Sequence, residues 1–531
     1  MYRILVTDDL GPAGLALLDS AQDVQYDIIK LPRRDQLVEV IGGYDAIITR
    51  SGTSLDASVF DATRRLKIAA RAGVGMDNIN IDAATLRGVL VMNTPEANTV
   101  AATEMTMALL LALCRRLTWA DASLKRGEWT RSQFMGTQLC EKVLGVIGMG
   151  RIGSRVATRC QAFGMQVIAY DPYISEEAAD RVHVKLVGEL EELLTTADVV
   201  TVHTPLTEET YGMIGPTEIA RMKDGVRLVN CARGGIVDEQ ALYDGLVSGK
   251  IAGAAMDVFA AEPPTTDLLK RLLALDNVVA SPHIGANTAE AQRDVAVQIV
   301  QQVLDGLRGI NYHNVVNLPF AEGVDYRSIA PYMTLAEKIG SLQMQLIRGR
   351  IGRVELEFRG EEVESSVKPL TVALLKGMLY PILSDAVNYV NAPRLAEERG
   401  IVVSQTRHPA AEDYVNVILC RVVSTKEVRL IGGALFLRNQ PRIVLLDEYR
   451  LDALPVGRVL VMTNRDVPGV IGRVGTILGE GRINIAEWRM ARNAPGDVAV
   501  SFINIDSPIG DEVMAQLRGL PQVLGVRQVS L

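Results

Sequence analysis

The sequence is poor in cysteine and has no long run of apolar residues. Its 531 residues include 5 cysteines. They are scattered without a Cys-x-x-Cys pair, which argues against a disulfide framework and a zinc site and predicts a reducing cytoplasm. The most apolar helical segment, 105–113, is shorter than the roughly 20 residues that cross a bilayer. Acidic residues follow the short apolar start, unlike a secretory leader. We therefore expect a cytoplasmic protein without a membrane partner.

Blocks of basic residues are also missing. Lys and Arg number 55 against 63 Asp and Glu, a formal net charge of −8. Nucleic acid and anionic membranes are therefore not expected as partners, although small anions need only a local arginine cluster. The hydrophobic fraction of 48% is typical of a globular chain. The length corresponds to about three or four domains.

The first half of the chain alternates strands and helices. Residues 1–95 contain short β-rich runs separated by helical stretches, which predicts βαβ units around a parallel sheet. A helix over Thr99–Leu117 connects this part to a second α/β unit. That unit opens with the buried-strand run Val143–Ile147 and ends with a helix over Ala289–Leu307.

The second half changes pattern. Residues 321–454 predict an α+β segment with antiparallel strands. One helix is expected over Thr371–Val390, with Pro381 marking a break or kink. The last segment, 455–531, reads β-α-β-β-α-β, which predicts a ferredoxin-like fold.

A glycine-rich turn is the most specific local motif. Gly148, Gly150 and Gly153 follow the strand Val143–Ile147 and open a helix, and Asp171 stands at the end of the next strand. This context is typical of dinucleotide binding, because glycine lets the backbone approach a pyrophosphate at a helix N-terminus. An acidic residue pairs with ribose hydroxyls and repels a 2′-phosphate, so NAD is expected rather than NADP. The alternative is a tight turn without a ligand.

Three side chains that follow later strands suggest acid/base chemistry on a carboxylate. Arg233 stands after a strand that ends at Asn230, where an arginine fork can bind a carboxylate. Glu262 and His283 lie in loops after two further strands, and a His–carboxylate pair is a standard proton-transfer device. Taken singly, each has a structural alternative: a surface ion pair for the arginine and a core position for the histidine.

Two loops of the first part combine arginine with small residues. One contains Arg50 and Ser51, and the other contains Arg71 and Gly73. Each follows a predicted strand, so both arginines are expected at one edge of the sheet, where they suit a phosphate. The alternative is that they are arginines on solvated loops.

Taken together, the motifs closely resemble the D-isomer-specific 2-hydroxyacid dehydrogenases over residues 1–317. The resemblance implies that His283 donates and accepts the proton, that Glu262 is its partner and that Arg233 anchors the substrate. It also implies a discontinuous flavodoxin-like substrate lobe, residues 1–95 and 287–320, around a Rossmann-type NAD domain, residues 96–286. Further cofactor contacts are implied for Val74, Arg151, Ile152, Thr204, Cys231, Asp257 and Gly285. Further substrate contacts are implied for Asn98 and Arg131, the latter from the same or a neighbouring subunit.

The arginine loops and the tail resemble one branch of that family, the long-form phosphoglycerate dehydrogenases. This resemblance implies D-3-phosphoglycerate as the substrate and NAD as the cofactor. It also implies an intervening domain over 321–454, an ACT domain over 455–531 and a homodimer or homotetramer. Asn464, Asp466 and Asn484 match positions that bind serine as an effector. The alternative for the tail is a structural dimerisation unit.

Two other functions compete with this interpretation. One is a different D-2-hydroxyacid dehydrogenase, such as a hydroxypyruvate or glyoxylate reductase, which would leave Arg50 and Arg71 without a phosphate. The other is a non-catalytic NAD-sensing protein of the same fold. The sensor-like tail weighs against the second alternative. One departure from the family is Ala97, where glycine is frequent.

Overall fold

A computed structural model describes residues 1–318, 326–384, 387–408, 414–437 and 439–531. The predicted boundary at 320/321 lies outside the described residues. The strands are β1 Tyr2–Val6, β2 Val24–Ile28, β3 Ala46–Thr49, β4 Ile68–Arg71, β5 Leu90–Met92, β6 Val143–Ile147, β7 Gln166–Tyr170, β8 Lys185–Leu186, β9 Val199–Val202, β10 Val226–Asn230, β11 Ile251–Met256, β12 Val278–Ala280, β13 Ile351–Arg359, β14 Val402–His408, β15 Val417–Ser424, β16 Val428–Phe436, β17 Gln440–Leu446, β18 Tyr449–Ala453, β19 Arg458–Arg465, β20 Ile485–Arg492, β21 Val498–Ile505 and β22 Val523–Ser530. The α-helices are α1 Gly11–Ser20, α2 Arg34–Val40, α3 Ala57–Asp61, α4 Ile81–Leu86, α5 Thr99–Arg115, α6 Leu117–Lys125, α7 Arg151–Ala162, α8 Glu176–Asp180, α9 Leu190–Thr196, α10 Pro216–Arg221, α11 Glu239–Val247, α12 Asp267–Leu273, α13 Ala289–Leu307, α14 Tyr326–Leu346, α15 Glu361–Glu364, α16 Val367–Leu383, α17 Ala392–Glu398, α18 Val470–Glu480 and α19 Asp511–Arg518. Short 3-10 helices cover Ile41–Gly43 and Arg131–Phe134.

The first sheet is parallel and has the order β2-β1-β3-β4-β5. This is the flavodoxin-like order, in which ligands bind at the carboxyl ends of the strands. Sequence patterning missed the edge strand β2, because it has no continuous apolar run. Gln25, Asp27 and Ile28 are exposed, and only Val24 is buried. α13 packs on this sheet, with Val295, Ile299 and Val303 in its core, although it is distant in sequence.

The second sheet has the order β12-β11-β10-β9-β6-β7-β8 and is also parallel. The order 3-2-1-4-5-6 within it is that of a Rossmann fold, so the predicted α/β class is confirmed. The predicted helix over Thr99–Leu117 is wrong in one respect. Arg116 adopts a left-handed conformation with φ of +50°, which ends α5 at Arg115 and starts α6 at Leu117.

The third sheet, β14-β13-β15-β16-β17-β18, is antiparallel except for the parallel pair β13–β14. Helices α14 and α16 cover one of its faces. The predicted helix over Thr371–Val390 is wrong at both ends. It starts at Val367, because Pro369 sits in the first turn where no N–H is needed, and it ends at Leu383, two residues after Pro381.

The fourth sheet has the order β20-β21-β19-β22 with α18 and α19 on one face. The predicted β-α-β-β-α-β succession is confirmed. Its other face is not exposed, because Val459, Val461 and Phe502 belong to the same apolar core as α14 and α16. Among the described residues, no helix is both long enough and apolar enough to cross a membrane.

Candidate active site

The glycine-rich turn between β6 and α7 forms a backbone cradle. Gly148 has φ of +91°, a conformation that favours glycine. A Cβ on Gly153 would lie 2.0 Å from the carbonyl oxygen of Gly148, so helix and turn touch only because glycine is present. A Cβ on Gly150 would meet nothing within 4 Å. The N–H groups of the α7 N-terminus, which has no side-chain cap, therefore fit an anion such as a pyrophosphate.

Asp171, directly after β7, is oriented by two backbone amides. The N–H of Met149 donates to Oδ2 at 2.8 Å, and the N–H of Tyr173 donates to Oδ1 at 2.9 Å. Each carboxylate oxygen can accept a second hydrogen bond. The carboxylate is therefore held against the glycine turn and retains acceptor capacity for ribose hydroxyls.

A small polar group lies beside the cradle. Thr204 Oγ1 is buried without a hydrogen-bond partner among the described residues, and its methyl carbon lies 2.9 Å from where a Gly148 Cβ would stand. Burial lowers the pKa of the neighbouring His203 to about 4. Burial also raises the pKa of the Cys231 thiol to about 12. Both groups are therefore neutral near pH 7, and Thr204 offers a hydroxyl to a bound cofactor.

Asp257 organises the loop that carries the histidine. It is 1% exposed, and its carboxylate accepts hydrogen bonds from Ser281 Oγ at 2.5 Å, from the N–H of Ile284 at 2.9 Å and from the N–H of Gly285 at 2.8 Å. Its carbonyl oxygen accepts from the N–H of His283 at 2.8 Å. Asp257 therefore shapes the turn around His283, where φ is +53°.

His283 and Glu262 form the predicted pair. His283 Nδ1 lies 2.7 Å from Glu262 Oε2, and the other carboxylate oxygen accepts from the N–H of Phe259 at 3.1 Å. The carboxylate favours the tautomer with a proton on Nδ1 and fixes the orientation of the ring. Nε2 is then the ring atom that can exchange a proton with a substrate hydroxyl.

Arg233 lies against this pair through the backbone. A Cβ on Gly234 would meet the carbonyl carbon of Phe259 at 2.0 Å, so the arginine loop touches the segment that orients Glu262. The Asn230 side chain donates to the Arg233 carbonyl at 2.9 Å, which holds the loop at the end of β10. The Arg233 side chain is about a quarter exposed, and its Nε lies 3.5 Å from Asp77 Oδ2.

Arg71 and Arg50 complete a cationic cluster on the first sheet. Arg71 lies 3.9 Å from Asp77, and its Nε and Nη1 are buried without a hydrogen-bond partner in the described chain. Burial lowers the pKa of Arg71, and repulsion from Arg233 and Arg50 lowers it further while Asp77 raises it. Three guanidinium groups therefore share one region, an arrangement that favours an anionic ligand.

Other predicted site residues lie around this cluster or apart from it. Gly73 and Val74 belong to the Arg71 loop, whose carbonyls accept from Thr94 N at 3.0 Å and Asn93 Nδ2 at 2.7 Å. Asn98 Oδ1, before α5, is buried without a described partner. Ser51 is exposed, Arg151 lies 3.7 Å from Glu96, and Ile152 packs in the core of the second sheet. Arg131 is exposed, and no described polar contact joins it to Arg50, Arg71 or Arg233.

The predicted effector residues do not lie together within one chain. Asn464 and Asp466 are neighbours at the end of β19, where Asn464 is 2% exposed and its Oδ1 has no partner in the described residues. Asp466 binds Arg492, which lowers the pKa of the carboxyl. Asn484 hydrogen-bonds Asp506 at 2.7 Å, at the opposite end of β21. Eight strand residues separate the two groups by roughly 20 Å or more.

Sequence reasoning missed two residues that contact the cluster. Asp77 lies in the Arg71 loop, where an acidic residue among arginines could have indicated an ion pair. Gln292, on α13, accepts a hydrogen bond from Arg50, and no local pattern relates these two positions.

Comparison with known proteins relates the chain to one enzyme family. Residues 107–285 match the NAD binding domain of the D-isomer specific 2-hydroxyacid dehydrogenases, and residues 328–447 match the D-3-phosphoglycerate dehydrogenase intervening domain. The D-3-phosphoglycerate dehydrogenase of Methanocaldococcus jannaschii is 41% identical over 100% of both chains. The enzyme of that name from Bacillus subtilis is 38% identical over 100% of both.

The chain belongs to the D-3-phosphoglycerate dehydrogenase family.

Solved structures place the first two sheets of this family member among related dehydrogenases. A D-lactate dehydrogenase from Aquifex aeolicus, solved with NAD and lactic acid, is 31% identical with a TM-score of 0.52 over 58% of this chain and 96% of its own. A glyoxylate reductase from a Paecilomyces species is 31% identical with a TM-score of 0.54 over 59% of this chain and 97% of its own. The chain is thus an NAD-binding oxidoreductase, and about two fifths of it lies outside what these neighbours cover.

Proposed function

We propose that the chain oxidises D-3-phosphoglycerate to 3-phosphohydroxypyruvate with NAD, the first step of serine synthesis. One observation carries the choice of substrate: two nitrogen atoms of the buried Arg71 guanidinium have no hydrogen-bond partner in the described chain, and the guanidinium lies beside Arg233. A substrate with a carboxylate at one end and a phosphate at the other satisfies both arginines. An unphosphorylated hydroxy acid satisfies only one.

The roles of the residues follow from their positions. Arg233 binds the substrate carboxylate and the oxygen on C2, while Arg50 and Arg71 bind the phosphate. Further substrate contacts come from Ser51, Gly73 and Asn98, and from Arg131 of the same or a neighbouring subunit. His283 Nε2 takes the proton of the C2 hydroxyl, and Glu262 stabilises the imidazolium that forms. The bound nicotinamide supplies the chemistry of hydride acceptance. The reaction is balanced by one hydride and one proton leaving the substrate.

The cofactor residues are proposed on the same basis. Gly148, Gly150, Gly153, Arg151 and Ile152 hold the pyrophosphate at the α7 N-terminus, and Asp171 selects NAD over NADP through the ribose. Thr204, Cys231, Asp257, Gly285 and Val74 line the remaining cleft. The corresponding domains are 1–95 with 287–320 for substrate, 96–286 for NAD, 321–454 as the intervening part and 455–531 as the ACT part.

Serine is proposed as an effector of the ACT part, in a homodimer or homotetramer. The unpartnered, buried Asn464 Oδ1 and the neighbouring Asp466 offer an acceptor and a carboxylate to an amino acid. Because Asn484 lies at the other end of β21, a second copy would have to bring its Asn484 to them. Asp466→Asn is expected to abolish serine inhibition while preserving uninhibited turnover.

The proposed substrate is tested by following NADH formation at alkaline pH, which favours oxidation because a proton is released. D-3-phosphoglycerate and D-glycerate are compared at equal concentrations. Turnover of the phosphorylated acid alone supports the arginine assignment. A preference for D-glycerate would overturn the phosphate site but retain the proton-transfer pair. Binding of NAD without turnover of either acid, in either direction, would support a non-catalytic sensor.

A further inference from the structure

Gln292, in the first turn of α13, connects two loops of the candidate site. Its Oε1 accepts a hydrogen bond from Nη2 of Arg50. Its Nε2 donates to the carbonyl oxygen of Ala286 at 2.9 Å. Ala286 follows Gly285, which Asp257 holds in the His283 loop. One carboxamide thus joins the Arg50 loop to the loop that carries the proton-transfer histidine.

The acceptors that hold Arg50 carry no formal charge. Arg50 Nη1 donates to the carbonyl oxygen of Asp9 at 3.2 Å, and Nη2 donates to the neutral Gln292. The Asp8 carboxylate accepts instead from the hydroxyls of Thr7, Thr49 and Thr53 at 3.1, 3.1 and 2.9 Å, and the Asp9 carboxylate accepts from the N–H of Gly11 at 2.8 Å. Among the described residues no carboxylate forms an ion pair with this guanidinium, although Asp8 and Asp9 attract it from farther away. Neutral acceptors therefore orient Arg50, and it can still pair with an external anion.

The start of α13 does not need the Gln292 side chain. Thr288 caps the helix, because its Oγ1 accepts from the N–H of Ala291 at 3.2 Å and its carbonyl accepts from the N–H of Gln292 at 2.9 Å. Thr288 thus caps the helix without help from the Gln292 carboxamide. The hydrogen bonds of this carboxamide with Arg50 and Ala286 both join it to loops of the candidate site.

We propose that Gln292 is a positioning residue that sets specificity for a phosphorylated substrate. It holds the Arg50 guanidinium toward the phosphate as a neutral acceptor, and it ties that arginine to the His283 loop. The inference rests on the proposed function, because Arg50 needs an anionic substrate group to act on. It goes further in requiring a neutral side chain at position 292.

Two substitutions separate this role from simple packing. Gln292→Glu preserves the shape but places a carboxylate against Arg50, so it competes with the phosphate. Gln292→Met removes both hydrogen bonds and introduces no charge. We expect the KM for D-3-phosphoglycerate to rise by about ten-fold in Gln292→Glu and by about three-fold in Gln292→Met. Both variants lose the hydrogen bond to the Ala286 carbonyl oxygen, so a role confined to that contact predicts equal losses on phosphorylated and unphosphorylated acids.

The readouts are kcat and KM for D-3-phosphoglycerate, kcat/KM for D-glycerate, and the unfolding temperature of each variant. We expect the ratio of kcat/KM for the phosphorylated acid to that for the unphosphorylated acid to fall in both variants, most in Gln292→Glu. The matched control is Gln301→Glu on the same helix, where the exposed glutamine donates to Asp305 at 3.0 Å and has no hydrogen bond to Arg50 or Ala286 in the described part of the chain.

The outcomes distinguish this inference from the proposed function. If the wild-type chain does not oxidise D-3-phosphoglycerate, both the proposed function and the inference that rests on it are contradicted. If the wild type does oxidise it, a KM for Gln292→Glu equal to or below that of Gln292→Met overturns the inference alone. Equal losses on both acids would likewise show that Gln292 supports the loops without setting specificity.

Discussion

At the scale of single residues, the site depends on acidic side chains that backbone amides hold in place. Asp171, Asp257 and Glu262 each accept at least one backbone N–H, which fixes the carboxylate before any ligand arrives. A carboxylate held in this way acts without a large loss of side-chain entropy. The proton-transfer pair can therefore be tested by changing its two members separately.

We expect His283→Ala to lower kcat by about 10²- to 10⁴-fold, because the group that accepts the hydroxyl proton is removed. NAD affinity should be retained, since the glycine turn and Asp171 are untouched. Glu262→Gln should lower kcat less, because the amide still contacts Nδ1 but no longer stabilises the imidazolium. The measurements are steady-state turnover and NAD titration by fluorescence. Wild-type turnover in His283→Ala would remove this residue from the mechanism.

His203 makes stability depend on pH. Its folded pKa of about 4 lies below the ordinary value of 6.5, so the unfolded chain binds a proton first as the pH falls. Stability is therefore lost between pH 6.5 and 4 and levels off below that range. The loss from pH 7 to pH 5 should be about 2 kcal/mol.

The matched variant is His203→Gln, which can still hydrogen-bond Thr201 but does not titrate. Urea unfolding of the nucleotide-binding part at pH 7 and pH 5 measures the difference. The variant should lose less stability than the wild type over this interval. The same pH dependence in both proteins would contradict the assignment of the effect to His203.

At the scale of elements, two glycines of the β6–α7 turn have different functions. Gly153 allows close packing, whereas Gly150 leaves room for a ligand. Gly153→Ala places a methyl group 2.0 Å from the Gly148 carbonyl oxygen. Since backbone must move, we expect a loss of about 2 kcal/mol or more in unfolding free energy, together with weaker NAD binding.

Gly150→Ala is the contrasting variant. Its methyl group meets no protein atom within 4 Å, and φ of −70° suits alanine. Unfolding should change by less than about 0.5 kcal/mol, while NAD affinity falls because the methyl lies where the pyrophosphate approaches. Thermal unfolding and NAD titration of both variants measure the two effects, on stability and on NAD affinity. Unchanged NAD affinity in Gly150→Ala would place the pyrophosphate elsewhere.

At the scale of the whole molecule, the last sheet is not a detachable module. Arg527 on β22 donates to the carbonyls of Gln345 at 3.1 Å and Leu346 at 2.8 Å, where it caps the C-terminus of α14. The inner face of the same sheet shares its core with α14 and α16. At the other end of the intervening part, Asn388 Nδ2 donates to the carbonyl of Gly88 at 2.6 Å, which links it to the first sheet.

Deleting residues 455–531 should therefore destabilise the intervening part in addition to removing the proposed serine site. The deletion removes Val459, Val461 and Phe502 from the core that they share with α14 and α16, and it leaves the α14 C-terminus without the Arg527 cap. We expect a lower unfolding temperature and aggregation in light scattering, compared with the full chain. An unchanged unfolding temperature would show that the shared core contributes little. The point variant Asp466→Asn is the better test of effector binding.

Most of the local structure could be predicted from the sequence because it depends on neighbours along the chain. The strands β6 and β12, the helix α13 and the ferredoxin-like succession at the end follow from apolar periodicity. The edge strand β2 could not, because its pattern is set by the one strand it pairs with. The end of α16 was also missed, since the effect of Pro381 depends on the turn in which it falls.

The sequence by itself determined the class of chemistry. Short-range patterns indicated it: a glycine turn after a strand, an acidic residue one strand later, and arginine, glutamate and histidine after further strands. Each pattern places a chemically suitable group at the end of a strand. The tertiary structure alone decided which of these residues meet. It brought Arg71 close to both Arg50 and Arg233, placed Asp77 between Arg71 and Arg233, set Gln292 against Arg50, and placed Asn484 far from Asp466. Such contacts depend on how sheets and helices dock over hundreds of residues, and local periodicity contains no information about that docking.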